Sequence, residues 1–332
     1  MTRRVSAPRI ARRVRRRIAI LAPALLAIAL LGGCAAPGAG GSSAEATGAP
    51  RIVVTTNILG DVVSAVVGDE AEVTTLMRPN ADPHSFEISA QEAALLSSAE
   101  LVVSNGLGLE EGLQQHLDGL AGDGGDDGNA ADARLLTAGD VIDPLPYAEG
   151  DAAGTPDPHF WTDPARMGDV VDAVAERVAA IDGVDPERIA ERAADYRAEL
   201  AELDAEMTTA FDAIPRDRRA LVTNHHVFGY LAARFDFRVV GAVIPGGTTL
   251  ASPSAADLRE LTSAIEQAGV PAIFAESSQP DRLVQVLASE AGIDVDVIEL
   301  YTESLTAPGE GADTYLTMMR ANTQRIADGL GA

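Results

Sequence analysis

Apolar and polar positions follow two different rhythms along the chain. Short runs rich in β-branched residues predict strands, and longer stretches with an apolar residue at every third or fourth position predict amphipathic helices. In the first part of the chain, the predicted strands cover 51–56, 73–77 and 101–104, and the predicted helices cover 58–67, 90–99 and 109–120. Strands that alternate with helices favour a parallel sheet with helices packed on it.

One long helix follows this alternation. Eight apolar residues recur at intervals of three and four from Ile189 to Ile214, and acidic residues and arginines separate them. At about 1.5 Å per residue, a helix over 186–214 spans roughly 40 Å. A helix of this length can bridge two lobes.

The alternation resumes after Arg219. Predicted strands cover 220–224, 238–243, 272–275 and 295–300, and predicted helices cover 228–235, 254–268, 281–290 and 314–330. Ser89 with Glu92, and Ser254 with Asp257, have the spacing that caps a helix at its start. The predicted fold class is α/β, with a parallel-sheet lobe at 51–185, one long helix at 186–214 that can bridge two lobes, and a second parallel-sheet lobe at 215–332.

The first residues have a different composition. Residues 1–17 contain eight arginines and no acidic residue, and an apolar run from Ile18 to Leu31 follows. A basic segment followed by a short apolar run is typical of a secretory signal, and the run is shorter than the roughly 20 residues of a membrane-spanning helix. The signal is predicted at 1–33, and residues 34–50, which are mostly Ala, Gly, Ser and Pro, are predicted to form a flexible tether.

The single cysteine, Cys34, stands at the end of this signal. The sequence Leu31-Gly32-Gly33-Cys34 resembles the lipobox of bacterial lipoproteins. That resemblance implies cleavage before the cysteine and acylation of Cys34. The chain is therefore expected in the cell envelope, anchored to the outer face of the cytoplasmic membrane.

The chain is strongly acidic. It has 25 basic and 50 acidic residues, so without the eight signal arginines 17 basic residues remain and the formal charge becomes −33. Such a surface repels nucleic acid, which we therefore do not expect as a partner. The segment 121–133 has no apolar periodicity and predicts a mobile acidic loop. Its acids do not have the spacing of an EF-hand, and a weak, exchangeable cation contact there stays open.

The histidines point to a metal site. His84 and His159 lie in loops bounded by prolines, and the pair His225 and His226 ends a predicted strand, whereas His116 falls on the polar side of a predicted helix as a surface residue. In open α/β sheets, ligands bind beyond the carboxyl ends of the strands. Neutral imidazoles combined with a carboxylate suit zinc.

Seven segments in order resemble the solute-binding lipoproteins of zinc and manganese ABC importers, the cluster A-I or cluster 9 family. The match runs from Arg51 to the last predicted helix. The segments are VVTTN (53–57), RPNADPHSFE (78–87), VSNGLGLE (103–110), DPHFWTDP (157–164), TNHHVFGY (223–230), FAESS (274–278) and YTESL (301–305).

The resemblance implies two α/β lobes joined by one rigid helix, with the metal in the cleft between them. His84 and His159 fall on the two ligand positions of the first lobe, and His225 falls on the third. His226 stands where the family usually has Asp, and Glu303 stands at the fourth ligand position, which is also usually Asp. The resemblance also implies a monomer that serves an ABC permease and its ATPase.

Glu276 is the alternative to Glu303 as the fourth ligand. It ends a predicted strand close to the third histidine position. If Glu303 binds the metal, we expect Glu276 to hold the N–H of a ligating imidazole, because such histidines usually donate their second ring N–H to a carboxylate or a carbonyl. His226 is a further alternative ligand or support.

The third ligand bears on the identity of the metal. Manganese-preferring members of the family place a carboxylate where this chain has His225, so three imidazoles favour Zn²⁺, with Mn²⁺ as the alternative. Two other functions would make different demands on the sequence. A zinc hydrolase would keep one coordination position open for water, and the chain has no H-E-x-x-H motif. A surface adhesin lipoprotein would not need His84, His159 and His225.

Overall fold

The computed structural model describes residues 48–122, 134–148, 152–244, 246–250, 253–277, 284–285 and 295–331. Several sequence predictions lie outside these residues. They are the signal at 1–33, Cys34, most of the tether at 34–50, residues 123–133 of the acidic loop and most of the helix at 281–290.

The first sheet contains four parallel strands in the order β2-β1-β3-β4. The strands are β1 (Arg51–Val54), β2 (Glu72–Thr75), β3 (Leu101–Ser104) and β4 (Leu135–Thr137). The helices of this half are α1 (Asn57–Val67), α2 (Ala90–Ser98), α3 (Gln114–Gly122) and α4 (Pro164–Ala179). The sequence pattern did not predict β4, because three residues are too few to show an alternation.

Helix α4 was also missing from the sequence-based prediction, although its signals are local. Asp163 accepts a hydrogen bond from the backbone N–H of Ala165 at 3.0 Å, and Pro164 occupies the first turn. Both are typical of a helix start. The buried face of α4 carries Met167, Val170, Val171, Val174 and Val178.

The second sheet repeats the topology of the first, with four parallel strands in the order β6-β5-β7-β8. The strands are β5 (Ala220–Thr223), β6 (Arg238–Ala242), β7 (Ala272–Glu276) and β8 (Asp296–Leu300). The helices are α6 (Gly229–Phe235), α7 (Ala255–Ala268) and α8 (Tyr315–Leu330). The α/β class with two parallel sheets is confirmed, as are both predicted capping boxes.

Helix α5 (Pro186–Asp212) is the long helix that the periodicity predicts. Asp185 caps it by accepting a hydrogen bond from the backbone N–H of Glu187 at 3.0 Å, with Pro186 in the first turn. Its apolar face is buried and packs against α1, α4 and α8. The buried residues are Ile189, Ala193, Tyr196, Leu200, Leu203, Met207 and Phe211.

One hydrophobic core runs through both halves of the described chain. It joins side chains of the first sheet such as Val54 with Leu221 and Phe274 of the second sheet and with the buried face of α5. Because interiors are close-packed, lobes that share a core resist large relative rotation. Among the described residues, no helix is both long enough and apolar enough to cross a membrane.

The shared core predicts cooperative unfolding. Leu203→Ala removes a fully buried side chain of α5, and we expect it to lower the free energy of unfolding by about 2–5 kcal/mol. Calorimetry of the metal-free protein should show a single transition that moves to lower temperature, because both sheets depend on the same core. The control Glu202→Ala changes an exposed residue of the same helix and should shift stability by no more than about 0.5 kcal/mol. Two separate transitions would contradict a shared core.

Candidate metal centre

Four side chains from distant parts of the chain converge in one buried cluster. They are His84, His159, His225 and Glu303, and their ligand atoms all lie within 4.8 Å of one another. The three Nε2 atoms surround a single oxygen, Oε1 of Glu303, at 3.0, 3.0 and 3.1 Å. His84 is only 2% exposed and Glu303 only 1%, so the cluster is closed to solvent.

The two histidines of the first half lie in loops with the same local structure. In Asp82-Pro83-His84 and in Asp157-Pro158-His159, Oδ1 of the aspartate accepts the backbone N–H of the histidine two residues later, at 2.9 Å in both loops. An aspartate that bonds its own backbone two residues on forms a tight Asx turn. Each turn fixes the point from which its imidazole reaches into the cluster.

Asp157 also orients the imidazole of His159. Its Oδ1 atom lies 2.7 Å from Nδ1 of His159, so Nδ1 carries the proton and Nε2 is left to face the cluster. Carboxylates commonly support metal-ligating histidines in this way. In the other turn, Oδ2 of Asp82 accepts hydrogen bonds from Ser85 and Thr249. Nδ1 of His84 is buried without a hydrogen-bond partner.

His225 comes from the second sheet. It follows β5, and Oγ1 of Thr223 donates to the backbone carbonyl of His225 at 2.7 Å. Glu276 is the last residue of the neighbouring strand β7, and its Oε2 atom lies 2.9 Å from Nδ1 of His225 in an ion-pair contact, without the alignment of a straight hydrogen bond. Because β5 and β7 are parallel neighbours, their carboxyl ends bring these two side chains together.

The loop that carries Glu303 follows β8, but residues of the first half hold it in place. Trp161 Nε1 donates to the carbonyl of Thr302 at 2.8 Å. Asn57 donates to Oγ of Ser304 at 2.8 Å and accepts the backbone N–H of Leu305 at 2.9 Å. These contacts lie on both sides of Glu303 in the sequence, so they fix its carboxylate relative to His84 and His159.

The charges of the cluster are balanced among buried groups. Burial opposes ionisation of Glu303, but the imidazoles of His225, His159 and His84 hold the pKa of Glu303 well below its usual range. Burial would lower the pKa of His225, but the carboxylates of Glu303 and Glu276 raise it well above the ordinary histidine value. Burial also opposes the charge of His159, and Asp157 with Glu303 raises the pKa of His159. Protons therefore compensate the buried carboxylates here, and a dication can replace them.

The donor set and the three distances from its carboxylate oxygen to the imidazoles are compatible with a tetrahedral ion. Zinc–ligand bonds of about 2.0–2.1 Å place tetrahedral ligands about 3.3 Å apart. The distances from Oε1 of Glu303 to the three Nε2 atoms, 3.0–3.1 Å, are within a few tenths of an ångström of this edge. The second oxygen of Glu303, Oε2, is buried without a hydrogen-bond partner. A bound cation would supply the positive charge that this carboxylate needs.

The remaining histidines lie elsewhere. His116 is exposed on α3, as the sequence predicts. His226 is not part of the four-residue cluster and lines a cavity of about 330 Å³, together with Tyr147 and Asp157. The ring of His226 packs edge-on against Tyr147, with 6.5 Å between the ring centroids.

Asp82, Asp157 and Tyr147 are not among the site residues predicted from the sequence. The repeated Asp-Pro-His tripeptide was an available signal for the two aspartates, because it places the same acid two residues before two predicted ligands. Tyr147 has no comparable signal. Its contact with His159, 3.3 Å from Oη to Nδ1, depends on how the loop around Pro146 and Pro156 folds back.

Comparison with known proteins adds independent information. A family model described as "ZnuA: Zinc-uptake complex component A periplasmic" matches residues 52–329. The metal ABC transporter substrate-binding lipoprotein FimA of Streptococcus parasanguinis is 30% identical over 291 residues, which cover 87% of this chain and 92% of FimA. The manganese-binding lipoprotein MntA of Halalkalibacterium halodurans is 27% identical over 307 residues, which cover 92% of this chain and 96% of MntA.

The zinc-binding protein TroA of Treponema pallidum is similar in both sequence and structure. It is 30% identical over 295 residues, which cover 88% of this chain and 92% of TroA. The solved structure of TroA superposes with a TM-score of 0.76 at 28% identity, covering 86% of this chain and 100% of TroA. The similarity therefore extends over both sheets and the linking helix.

The protonation of the cluster predicts that metal binding depends on pH. Metal ligation needs neutral imidazoles, and the pKa values of His159 and His225 are raised, so protons compete at a higher pH than they would for free histidine. Calorimetric titration with Zn²⁺ at pH 7.5, in two buffers of different ionisation enthalpy, should report the release of roughly one to two protons per ion. Affinity should fall as the pH decreases from 7.5 to 5.5.

The variant Glu276→Gln serves as the internal check of this prediction. It removes a charge that raises the pKa of His225, so its loss of affinity should begin at a lower pH than in the unaltered protein. An affinity that is equal at both pH values, together with no proton release, would contradict the charge balance described above.

Proposed function

Because this chain belongs to the ZnuA family of periplasmic zinc-uptake components, we propose that it is the extracytoplasmic solute-binding component of an ABC importer. It captures a divalent transition metal and delivers it to a membrane permease driven by an ATPase. The observation that carries this proposal is the buried cluster of three Nε2 atoms around one carboxylate oxygen. The family resemblance seen in the sequence is confirmed.

His84, His159, His225 and Glu303 are the proposed ligands of the transported ion. Asp157 holds the Nδ1–H of His159, and Glu276 neutralises His225 from the side opposite the ion. This arrangement supports Glu303 as the fourth ligand in preference to Glu276, because Glu276 contacts Nδ1 of His225 and the ion would be bound at Nε2.

Zinc is the proposed substrate, with manganese second. Three imidazoles and one carboxylate suit Zn²⁺, whereas Mn²⁺ favours oxygen ligands. The relatives carry both metals in their names, since TroA is named for zinc and MntA for manganese. The donor set of this chain, which has one carboxylate among four proposed ligands, therefore supports zinc over manganese.

The geometry favours a binding protein over a zinc hydrolase. A catalytic zinc site has three protein ligands and an open position for water, whereas here four side chains can close a tetrahedron out of contact with solvent. The adhesin alternative is not favoured, because the matching family is described as part of an uptake complex.

We also propose how the protein is held at the membrane. Residues 1–33 would be removed as a signal, Cys34 would carry the lipid, and 34–50 would act as the tether to the lobes at 51–185 and 215–332. The names of FimA and MntA describe lipoproteins, which supports this location. A monomer is sufficient, because one chain contributes all four proposed ligands.

Replacement of one ligand should abolish tight binding. His225→Ala removes one of four ligands and leaves Glu276 and Glu303 uncompensated, so we expect zinc affinity to fall at least about 100-fold in a competition assay with a chromophoric chelator. His116→Ala is the matched control, because it removes an exposed histidine far from the cluster and should leave affinity unchanged. Equal losses in both variants, or none in either, would contradict the ligand assignment.

The lipid anchor can be tested separately. Cys34→Ser removes the acylated thiol, so the protein should move from the membrane fraction to the soluble fraction of the producing cells while zinc affinity stays the same. The measurement is immunoblotting of separated fractions. Continued membrane association of the variant would contradict anchoring through Cys34.

A further inference from the structure

A short segment of the second half, Gly246–Leu250, crosses to the first half beside the metal centre. It lies between β6 and α7, and we call it the strap. Tyr147 Oη donates a hydrogen bond to the carbonyl of Gly247 at 3.0 Å. Thr249 Oγ1 donates to Oδ2 of Asp82 at 2.6 Å. Both partners belong to loops that carry proposed metal ligands.

Each of these two residues, Asp82 and Tyr147, in turn contacts a proposed ligand. Asp82 accepts the hydroxyl of Thr249 through Oδ2 and the backbone N–H of His84 through Oδ1. Tyr147 places the same Oη atom 3.3 Å from Nδ1 of His159, and its ring packs edge-on against that imidazole at 6.2 Å between centroids. The strap therefore contacts the supports of two ligands at the same time.

The strap is seated closely on the tyrosine ring. A Cβ atom added at Gly247 would lie 2.7–2.8 Å from Cε2, Cζ and Oη of Tyr147. Only glycine permits this approach of the backbone to the ring. The outer end of the strap is open to solvent, since Leu250 is 55% exposed.

Some element must move to admit the ion, because all four ligands are buried. The core shared by both sheets opposes rotation of whole lobes. The loop around Glu303 is held by buried hydrogen bonds from Asn57 and Trp161. The strap is held by contacts that are only partly buried. Because the least stabilised segments of a protein open most readily, the strap is the element most able to move.

We propose that the strap is the gate of the metal centre and that Thr249 and Tyr147 are positioning residues that keep it closed. In the closed state, Thr249 fixes the Asp82 carboxylate that orients the loop of His84, and Gly247 covers the ring that packs on His159. Release of both contacts lets these two imidazoles turn away from the ion. The inference rests on the proposed function, because the gate would set the rate at which the same metal centre takes up and releases its ion.

The experiment measures the rate at which zinc leaves the loaded, full-length protein for an excess of a fluorescent chelator, by stopped-flow mixing. Thr249→Val keeps the shape of the side chain but removes the donor, and we expect zinc to leave roughly tenfold faster, in line with the loss of one hydrogen bond to a charged group. Tyr147→Phe should also accelerate release. Thr249→Ser keeps the hydroxyl and should restore a rate close to that of the unaltered protein.

Thr248→Val is the matched control. The hydroxyl of Thr248 accepts the backbone N–H of Leu250 within the strap, at 3.3 Å. Its loss should leave the release rate within about twofold of the unaltered value. Gly247→Ala provides a second, independent variant, because the added methyl group pushes the strap from Tyr147 and should accelerate release as well.

The possible outcomes separate the two proposals. Fast release in Thr249→Val and in Gly247→Ala, slow release in Thr249→Ser and unchanged thermal unfolding of the metal-free variants would support the gate. Equal release rates in Thr249→Val and Thr248→Val, or equally fast release in Thr249→Val and Thr249→Ser, would overturn it. An unaltered protein that binds no zinc would overturn the proposed function itself.

Discussion

The burial of the Glu303 carboxylate among three imidazoles is the interaction on which the site depends. A carboxylate withdrawn from water is costly unless positive charge lies against it. Here two further acids, Asp157 and Glu276, contact the imidazoles from behind, so the cluster as a whole needs cationic charge. Protons on the imidazoles can supply that charge, and so can one dication. A proposed metal ion would therefore exchange with protons at this cluster.

The frame of the protein keeps these groups at the required separation. The two sheets have the same strand order and share one core with α5, so their carboxyl ends hold a constant position relative to each other. Glu303 follows a strand of the second sheet but is tied to Asn57 and Trp161 of the first half. Only His225 and its partner Glu276 are supported by the second sheet itself. An ion held by the four proposed ligands would therefore bridge the two halves.

The two Asp-Pro-His turns have the same backbone hydrogen bond, but their aspartates make different side-chain contacts. In both, the aspartate accepts the backbone N–H of the histidine. Asp157 uses the same oxygen to hold the ring of His159, whereas Asp82 turns its second oxygen toward Thr249 of the strap. One histidine is thus fixed within its own loop, and the other depends on a contact made across the two halves.

Local features were predictable from the sequence because they depend on neighbouring residues. The alternation of strands and helices, the long helix α5 and the capping boxes follow from periodicity and short-range spacing. The proposed ligands His84, His159, His225 and Glu303 were selected because they lie in sequence motifs. Helix α4 has equally local signals, the cap at Asp163 and the proline at 164, and was predictable in the same way, whereas the three-residue strand β4 has none. Tertiary structure alone decided that Asp157 rather than Asp82 bonds the ring of its histidine, that His226 lies outside the cluster on the wall of a cavity and that Thr249 reaches Asp82. These relations join residues as many as 167 positions apart, and only the meeting of loops at the ends of two packed sheets brings them into contact.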